Sequence, residues 1–221
     1  MERLLIFDCD GVLVDSEILE HSVDVEMLAV HGYHRTTEEL LGRFVGISRK
    51  DMYATVFGEL GRAVPEDLLD IRERTVWTRC ASDLRVVAGV EAALDVLSTL
   101  PKCVASSSTP DKLRMKLEIT GLAPWFVPNV FSTALVERGK PAPDIYLYAA
   151  QTVGVPPEGC TVIEDSPHGI AGARAAGMQA IAFVGGAHAT ASLRAQLVDA
   201  GADAVAGSMD ELASMLLATP C

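Results

Sequence analysis

The sequence is short of basic residues. It has 18 Lys and Arg against 30 Asp and Glu, which gives a formal net charge of −12. A chain with this excess of negative charge repels both the phosphates of nucleic acids and anionic lipid headgroups. We therefore expect no nucleic acid and no membrane among its partners.

Cysteines are few, and long apolar runs are lacking. The five cysteines are widely separated and show neither a zinc-binding spacing nor a disulfide framework, and their odd number favours a reducing compartment. No apolar stretch reaches the ~20 residues that span a bilayer, and the first residues do not read as a secretion signal. We expect a cytoplasmic protein that is a monomer or a weak homodimer.

Short apolar runs alternate with helical patterns over most of the chain. Such alternation predicts an α/β fold, a Rossmann-like doubly wound parallel sheet with helices on both faces. The predicted strands are 3–8, 102–108, 129–133, 160–166, 179–184 and, at the edge, 202–207. The predicted helices are 89–100, 111–120, 143–153, 166–176 and 208–217.

The segment 17–85 breaks this alternation. It has helical periodicity and no convincing strand, for example in "SEILEHSVDVEMLAVHG" and "PEDLLDIRERTVWTRCA". We interpret it as an all-helical cap domain inserted after the first strand. The core domain is then discontinuous and comprises residues 1–16 and 86–221.

Polar side chains recur where successive predicted strands end. In an open parallel sheet, ligands bind in the crevice outside the carboxyl ends of the strands. Carboxylates gathered there predict a hard divalent cation such as Mg²⁺, with a basic residue and a hydroxyl to hold an anion beside it. The residues concerned are Asp8, Asp10, Ser106, Lys140, Glu164 and Asp165.

These residue types suit phosphoryl transfer. A carboxylate such as Asp8 can attack phosphorus and form an aspartyl-phosphate. Lys140 would offset the repulsion between that carboxylate and the phosphoryl group, and Ser106 would donate to a phosphoryl oxygen. Asp10, two residues further along an extended segment, could protonate the leaving oxygen and later deprotonate a water molecule.

Four motifs occur in a fixed order: "DCDGVLVDSE", "VASSS", "GKPAPD" and "IEDSPHGI". In these motifs the chain resembles the haloacid dehalogenase (HAD) superfamily, and within it the phosphatase and β-phosphoglucomutase-like group with a helical cap. The resemblance implies an aspartyl-phosphate mechanism and a Mg²⁺ cofactor. It assigns Asp8 as nucleophile, Asp10 as general acid and base, and Ser106, Ser107 and Lys140 as phosphate-binding residues. The implied metal site comprises Asp8, the Asp10 carbonyl and Asp165, with Glu164 supporting the metal through water or from behind these ligands.

The expected reaction is hydrolysis of a small phosphorylated metabolite, plausibly a sugar phosphate. The alternative is a β-phosphoglucomutase-type mutase. Such mutases carry a cap-hinge histidine where this chain has Glu20, and His21 follows one residue, or about 100° of helix rotation, later. This departure favours the phosphatase.

The cap segment "VGISRKD" resembles the substrate-specificity loop of the mutase group. It points to Arg49 as a substrate contact, with Lys50 and Arg43 as neighbours that could contribute. Lys50 is the only lysine of the insert, which leaves a phosphonate hydrolase with a cap Schiff base as a minor alternative. A phospho-receiver domain is a further alternative, but the insert and Asp10 argue against it.

At several positions a purely structural role is an alternative to a role in the functional site. Asp15 suits a turn or helix cap at the border of the insert, and Asp165 could cap the helix that follows it. His168 lies in the first turn of that helix, where a structural role is expected. Cys9 lies between two acids in an extended segment and is expected to pack in the core.

Overall fold

The computed structural model describes residues 3–44 and 47–218. Contacts between Cα atoms divide the chain into two units, one formed by Met1–Asp15 and Arg85–Cys221 and the other by Ser16–Leu84. Each junction lies one residue earlier than the boundary expected from the sequence. The two chain segments at the junctions lie side by side, because Val87 N donates to Leu13 O and Asp15 N donates to Arg85 O, both at 3.0 Å.

The larger unit contains a six-stranded parallel sheet, so the predicted doubly wound α/β fold is confirmed. Its strands lie in the order β3-β2-β1-β4-β5-β6. The order reverses between β1 and β4, which is the switch point where such sheets bind ligands. The strands are β1 Leu4–Phe7, β2 Lys102–Ser106, β3 Val130–Ser132, β4 Cys160–Glu164, β5 Gln179–Phe183 and β6 Ala204–Ala206.

The smaller unit is helical in its described part. Helix α2 begins with a capping box in which Thr36 Oγ1 accepts from Glu39 N and the Glu39 carboxylate accepts from Thr36 N. Helix α3 is capped by the Ser48 hydroxyl, which accepts from Asp51 N. The helices are α1 Ser16–Val30, α2 Thr37–Arg43, α3 Arg49–Glu59 and α4 Leu68–Asp83.

The remaining helices flank the sheet. They are α5 Val90–Val96, α6 Pro110–Ile119, α7 Ala123–Phe126, α8 Asp144–Val153, α9 Pro167–Ala175, α10 Ala191–Asp199 and α11 Met209–Ala218. Helix α5 ends four residues before the predicted end, and the chain continues in tight turns in which Ser98 N donates to Asp95 O and Leu100 N donates to Leu97 O, both at 3.1 Å. The sequence did not predict α7, a single turn, or α10, which buries only Leu193 and Leu197.

Local signals fix the ends of the helices that border the site. Helix α6 starts at Pro110, whose fixed φ suits the first helical turn. Helix α8 ends at Val153, and Gly154 caps it in a left-handed conformation (φ 86°) that favours glycine. The Ser166 hydroxyl caps α9 by accepting from Gly169 N at 3.0 Å. The alternative in which Asp165 caps this helix is therefore wrong, since the cap lies one residue later.

The central strands are buried on both faces. All four residues of β1 are at most 1% exposed, as expected for an interior strand of a parallel sheet. Cys9 is fully buried, and burial raises the pKa of its thiol well above the ordinary value. The four described cysteines are buried. Among residues 3–44 and 47–218, no helix is long and apolar enough to cross a membrane.

Candidate active site

Three carboxylates meet at the switch point of the sheet. Asp8 directly follows β1, and its backbone N donates to Ile163 O on β4 at 2.9 Å. Glu164 ends β4, and Asp165 follows it. One oxygen from each of Asp8, Glu164 and Asp165 lies within 4.8 Å of the others, and all three residues are buried.

Lys140 lies among these carboxylates. Its Nζ donates to Asp8 Oδ1 at 2.7 Å, to Glu164 Oε1, and to the Ala105 carbonyl at 3.0 Å. The same Nζ lies 5.4 Å from the centre of the Tyr146 ring. Burial on its own would lower the pKa of Lys140, but Asp8 and Glu164 raise it well above the ordinary value. This direction favours the charged ammonium form of Lys140 beside Asp8.

The site holds more negative than positive charge. Burial raises the pKa of the Asp8 carboxyl well above its ordinary value; the Lys140 ammonium opposes that shift, and Glu164 and Asp165 add to it. One lysine does not neutralise three carboxylates. A hard divalent cation with oxygen ligands, such as Mg²⁺, fits both the donor set and the charge excess.

Glu164 accepts hydrogen bonds on both of its oxygens. Oε1 accepts from Lys140 Nζ and from the Tyr146 hydroxyl at 2.8 Å. Oε2 accepts from the backbone N of Asp165 and of Ser166, both at 3.1 Å, and from the Ser166 hydroxyl at 2.9 Å. This fully buried carboxylate thus fixes Lys140 and the backbone that carries Asp165. The sequence had not singled out Tyr146.

The three serines at the end of β2, Ser106 to Ser108, have different surroundings. Ser106 is fully buried, and its Oγ accepts from Ser108 N at 3.0 Å. Ser107, a second expected phosphate-binding residue, is exposed. Lys140 binds the carbonyl of Ala105, which places the end of β2 beside Asp8.

Asp10 is held by two residues that sequence reasoning missed. Its Oδ2 accepts from the Ser108 hydroxyl at 2.8 Å, and its Oδ1 pairs with Lys116 Nζ. Lys116 lies on α6 and is 2% exposed. It belongs to the stripe Leu113, Lys116 and Leu117, and a lysine in an otherwise apolar stripe was the available signal.

Asp165 contacts a histidine that the sequence did not reveal. Its Oδ2 lies 2.9 Å from Nε2 of His188. Burial raises the pKa of Asp165, and the hydrogen bond from His188 opposes that shift.

Asp15 accepts from Ala187 N at 2.9 Å, so it secures a loop of the same unit. His168 is exposed on α9.

The residues expected to select the substrate lie in the helical unit. Arg49 begins α3 and is enclosed by polar partners: its Nε lies 3.1 Å from Asp24 Oδ2, and its Nη1 lies 3.1 Å from His21 Nε2. Arg43 pairs with Glu59 and donates to the Tyr33 hydroxyl at 2.6 Å.

Lys50 is exposed on α3, and Val45 and Gly46 of the "VGISRKD" segment lie outside the described residues. Glu20, at the position of the mutase histidine, pairs with Arg72 at 2.9 Å. The specificity roles of Arg43, Arg49 and Lys50 stay predictions.

Comparison with known proteins identifies the family. A family model described as "haloacid dehalogenase-like hydrolase" matches residues 2–177. The chain is 29% identical over 185 residues to 6-phosphogluconate phosphatase of Escherichia coli (strain K12), covering 83% of each chain. It is 30% identical over 179 residues to fructose-1-phosphate phosphatase YqaB of the same organism, covering 80% of this chain and 94% of the relative.

A solved structure has the same fold as this chain over nearly its whole length. A haloacid dehalogenase-like protein of unknown function, ATU0790 from Agrobacterium tumefaciens str. C58, superposes with a TM-score of 0.92 at 41% identity and covers 99% of both chains. These matches confirm the predicted family and the predicted enzyme class, a phosphoric monoester hydrolase. The chain belongs to the haloacid dehalogenase-like hydrolases.

Proposed function

We propose that this chain is a Mg²⁺-dependent phosphatase that hydrolyses a small phosphorylated metabolite, a sugar phosphate, through an aspartyl-phosphate on Asp8. The observation that carries the proposal is the contact of Lys140 Nζ with Asp8 and Glu164 at the sheet's switch point. A carboxylate is a poor nucleophile towards an anionic phosphate ester unless cations stand beside it. Lys140 supplies one such charge.

The first half of the reaction transfers the phosphoryl group. A carboxylate oxygen of Asp8 attacks phosphorus, the bond from phosphorus to the ester oxygen breaks, and Asp10 gives its proton to the leaving oxygen. Lys140 and the Ser106 hydroxyl bind phosphoryl oxygens. When bound, Mg²⁺ supplies further positive charge at Asp8 and Asp165.

The second half hydrolyses the aspartyl-phosphate. Asp10, now ionised, takes a proton from a water molecule that attacks phosphorus, and inorganic phosphate leaves as the Asp8 carboxylate is restored. Because Ser108 and Lys116 engage both oxygens of Asp10, Asp10 must exchange at least one of these contacts in each half-reaction. Ser108 and Lys116 therefore control the position of the Asp10 carboxyl group.

The substrate class rests on the relatives. Two of them are named for phosphates of hydroxylated carbon chains, 6-phosphogluconate and fructose 1-phosphate. A mutase is disfavoured because Glu20, which occupies the position of the mutase histidine, is paired with Arg72. The cytoplasmic location expected from the cysteine content stays a prediction.

The test is phosphate release from a panel of sugar phosphates with Mg²⁺, for the native enzyme and for Asp8→Asn. We expect selective hydrolysis by the native enzyme and loss of turnover in the variant. Trapping the enzyme with acid during turnover should show one added phosphoryl group on the peptide that contains Asp8.

Two results would count against the proposal. Near-native turnover by Asp8→Asn contradicts the assigned nucleophile. Conversion of β-glucose 1-phosphate to glucose 6-phosphate, primed by a trace of the 1,6-bisphosphate and with little free phosphate, supports the mutase instead.

A further inference from the structure

A histidine on the loop after β5 reaches one of the proposed metal ligands. Nε2 of His188 lies 2.9 Å from Oδ2 of Asp165, and the two side chains are 8% and 9% exposed. The loop spans residues 184–190, between β5 and α10. His188 thus approaches the end of β4 from the loop of the neighbouring strand.

The loop that carries His188 is anchored on two sides. Beside the histidine, Ala187 N donates to Oδ1 of Asp15 at 2.9 Å. At the start of the loop, Val184 N donates to Ala206 O at 2.9 Å. Because the backbone on the N-terminal side of His188 is bound at both points, the imidazole is presented to Asp165 from a fixed position.

Two glycines provide the space for the His188 and Asp165 pair. A Cβ atom on Gly11 would lie 1.8 Å from Asp165 Oδ2 and 2.7 Å from His188 Cε1. A Cβ atom on Gly186 would lie 2.9 Å from His188 Cε1 and 2.7 Å from Gly11 O. Real Cβ atoms essentially never approach within 3.0 Å of such neighbours. Bare backbone therefore packs directly against the pair and restricts its movement.

We propose that His188 is a positioning residue that holds the Asp165 carboxylate in the orientation in which it binds the divalent cation. The imidazole engages Oδ2 of Asp165, and one oxygen of the same carboxylate lies within 4.8 Å of oxygens of Asp8 and Glu164. This inference rests on the proposed function, since it concerns the metal of that same site. Groups that orient a ligand from outside typically change metal affinity or activity 10–100-fold when they are removed.

The test measures cation binding without substrate. Wild type, His188→Ala and His188→Gln are titrated with Mn²⁺ at one fixed pH, and unbound Mn²⁺ is read by electron paramagnetic resonance, with Mg²⁺ as competitor. We expect His188→Ala to weaken Mn²⁺ binding about 10–100-fold. His188→Gln, whose amide can donate to Asp165, should recover most of that loss.

The control is His168→Ala, which removes an exposed histidine from the same unit and should leave Mn²⁺ affinity unchanged. In turnover, His188→Ala should raise the Mg²⁺ concentration needed for half-maximal rate more than it lowers kcat at saturating Mg²⁺. A purely structural role would not produce this split together with rescue by glutamine.

The outcomes separate the two proposals. Equal Mn²⁺ affinities in wild type and in folded His188→Ala overturn the role of His188 and leave the proposed phosphatase standing. If His188→Ala does not fold, Asp15→Ala replaces it, because this variant removes an anchor of the loop; weakened binding supports the role, and unchanged binding overturns it. A wild type that binds no Mn²⁺ or Mg²⁺ overturns both proposals, whereas cation binding without phosphate release from any ester overturns only the phosphatase.

Discussion

Replacing Lys116 by methionine tests the most unexpected ion pair of the site. Lys116 is 2% exposed and pairs with Asp10, whose side chain is 20% exposed. Removing one partner of a buried pair typically costs about 3–5 kcal/mol, because the other charge stays uncompensated. Asp10 keeps its hydrogen bond from Ser108 and some contact with water, so we expect the lower end of this range, about 3 kcal/mol.

This loss should be visible in a melting curve. For a chain of this length, about 3 kcal/mol corresponds to a fall in Tm of roughly 6–12 °C. Two units need not unfold together, so a local probe is required. Trp125 lies in the sheet-containing unit and Trp77 in the helical unit. In a Trp77→Phe background, urea unfolding followed by Trp125 fluorescence reports the unit that contains Lys116.

A double-mutant cycle identifies the cause of the loss. Asp10→Asn should also destabilise, because it leaves the Lys116 ammonium buried without its partner. The double variant removes both charges and should cost less than the sum of the single changes. Arg114→Met, on the same helix but 68% exposed, is the control and should change stability by less than about 1 kcal/mol. Full stability of Lys116→Met, or strict additivity in the cycle, would refute the reasoning.

Four further predictions follow from the same contacts. Gly169→Ala should lower Tm and activity despite the ~1 kcal/mol that alanine normally adds to a helix, because its Cβ would lie 1.9 Å from Glu164 Cδ; a rise in Tm contradicts this. Arg72→Met should cost about 3 kcal/mol, because buried Asp24 loses one of its two arginine partners and keeps only Arg49, and Trp77 fluorescence in urea measures it. In a single turnover, Asp10→Asn should slow release of the alcohol from a sugar phosphate about 10²–10⁴-fold but release of the phenolate from an aryl phosphate much less, because a phenolate leaves without a proton; equal single-turnover losses argue against the acid role. Chelation should abolish turnover and Mg²⁺ should restore it better than Ca²⁺, whose looser shell suits the site less; equal rates contradict the expected geometry.

The α/β fold could be predicted because its signals are local. Each strand is a short apolar run, and Pro and Gly mark several helix ends, as Pro110 and Gly154 do. Helix α10 was missed because its sequence, with two buried leucines, carries a weak periodic signal. The prediction for α5 was too long, because its apolar periodicity continues to Leu100 whereas the chain leaves the helix after Val96 and passes through tight turns.

In the candidate site, too, some features could be predicted from the sequence and others could not. The sequence by itself determined which side chains stand at the carboxyl ends of the strands, Asp8, Ser106, Glu164 and Asp165 among them, because a parallel sheet brings all such ends to one edge. It also determined the family, through four motifs in a fixed order. Only the tertiary structure decided which partners hold these groups. Lys116 meets Asp10 from 106 residues away, and His188 meets Asp165 from the loop of a different strand. The physical reason is that such contacts depend on how a helix packs and where a loop is anchored, and neither leaves a periodic or local trace in the order of the residues.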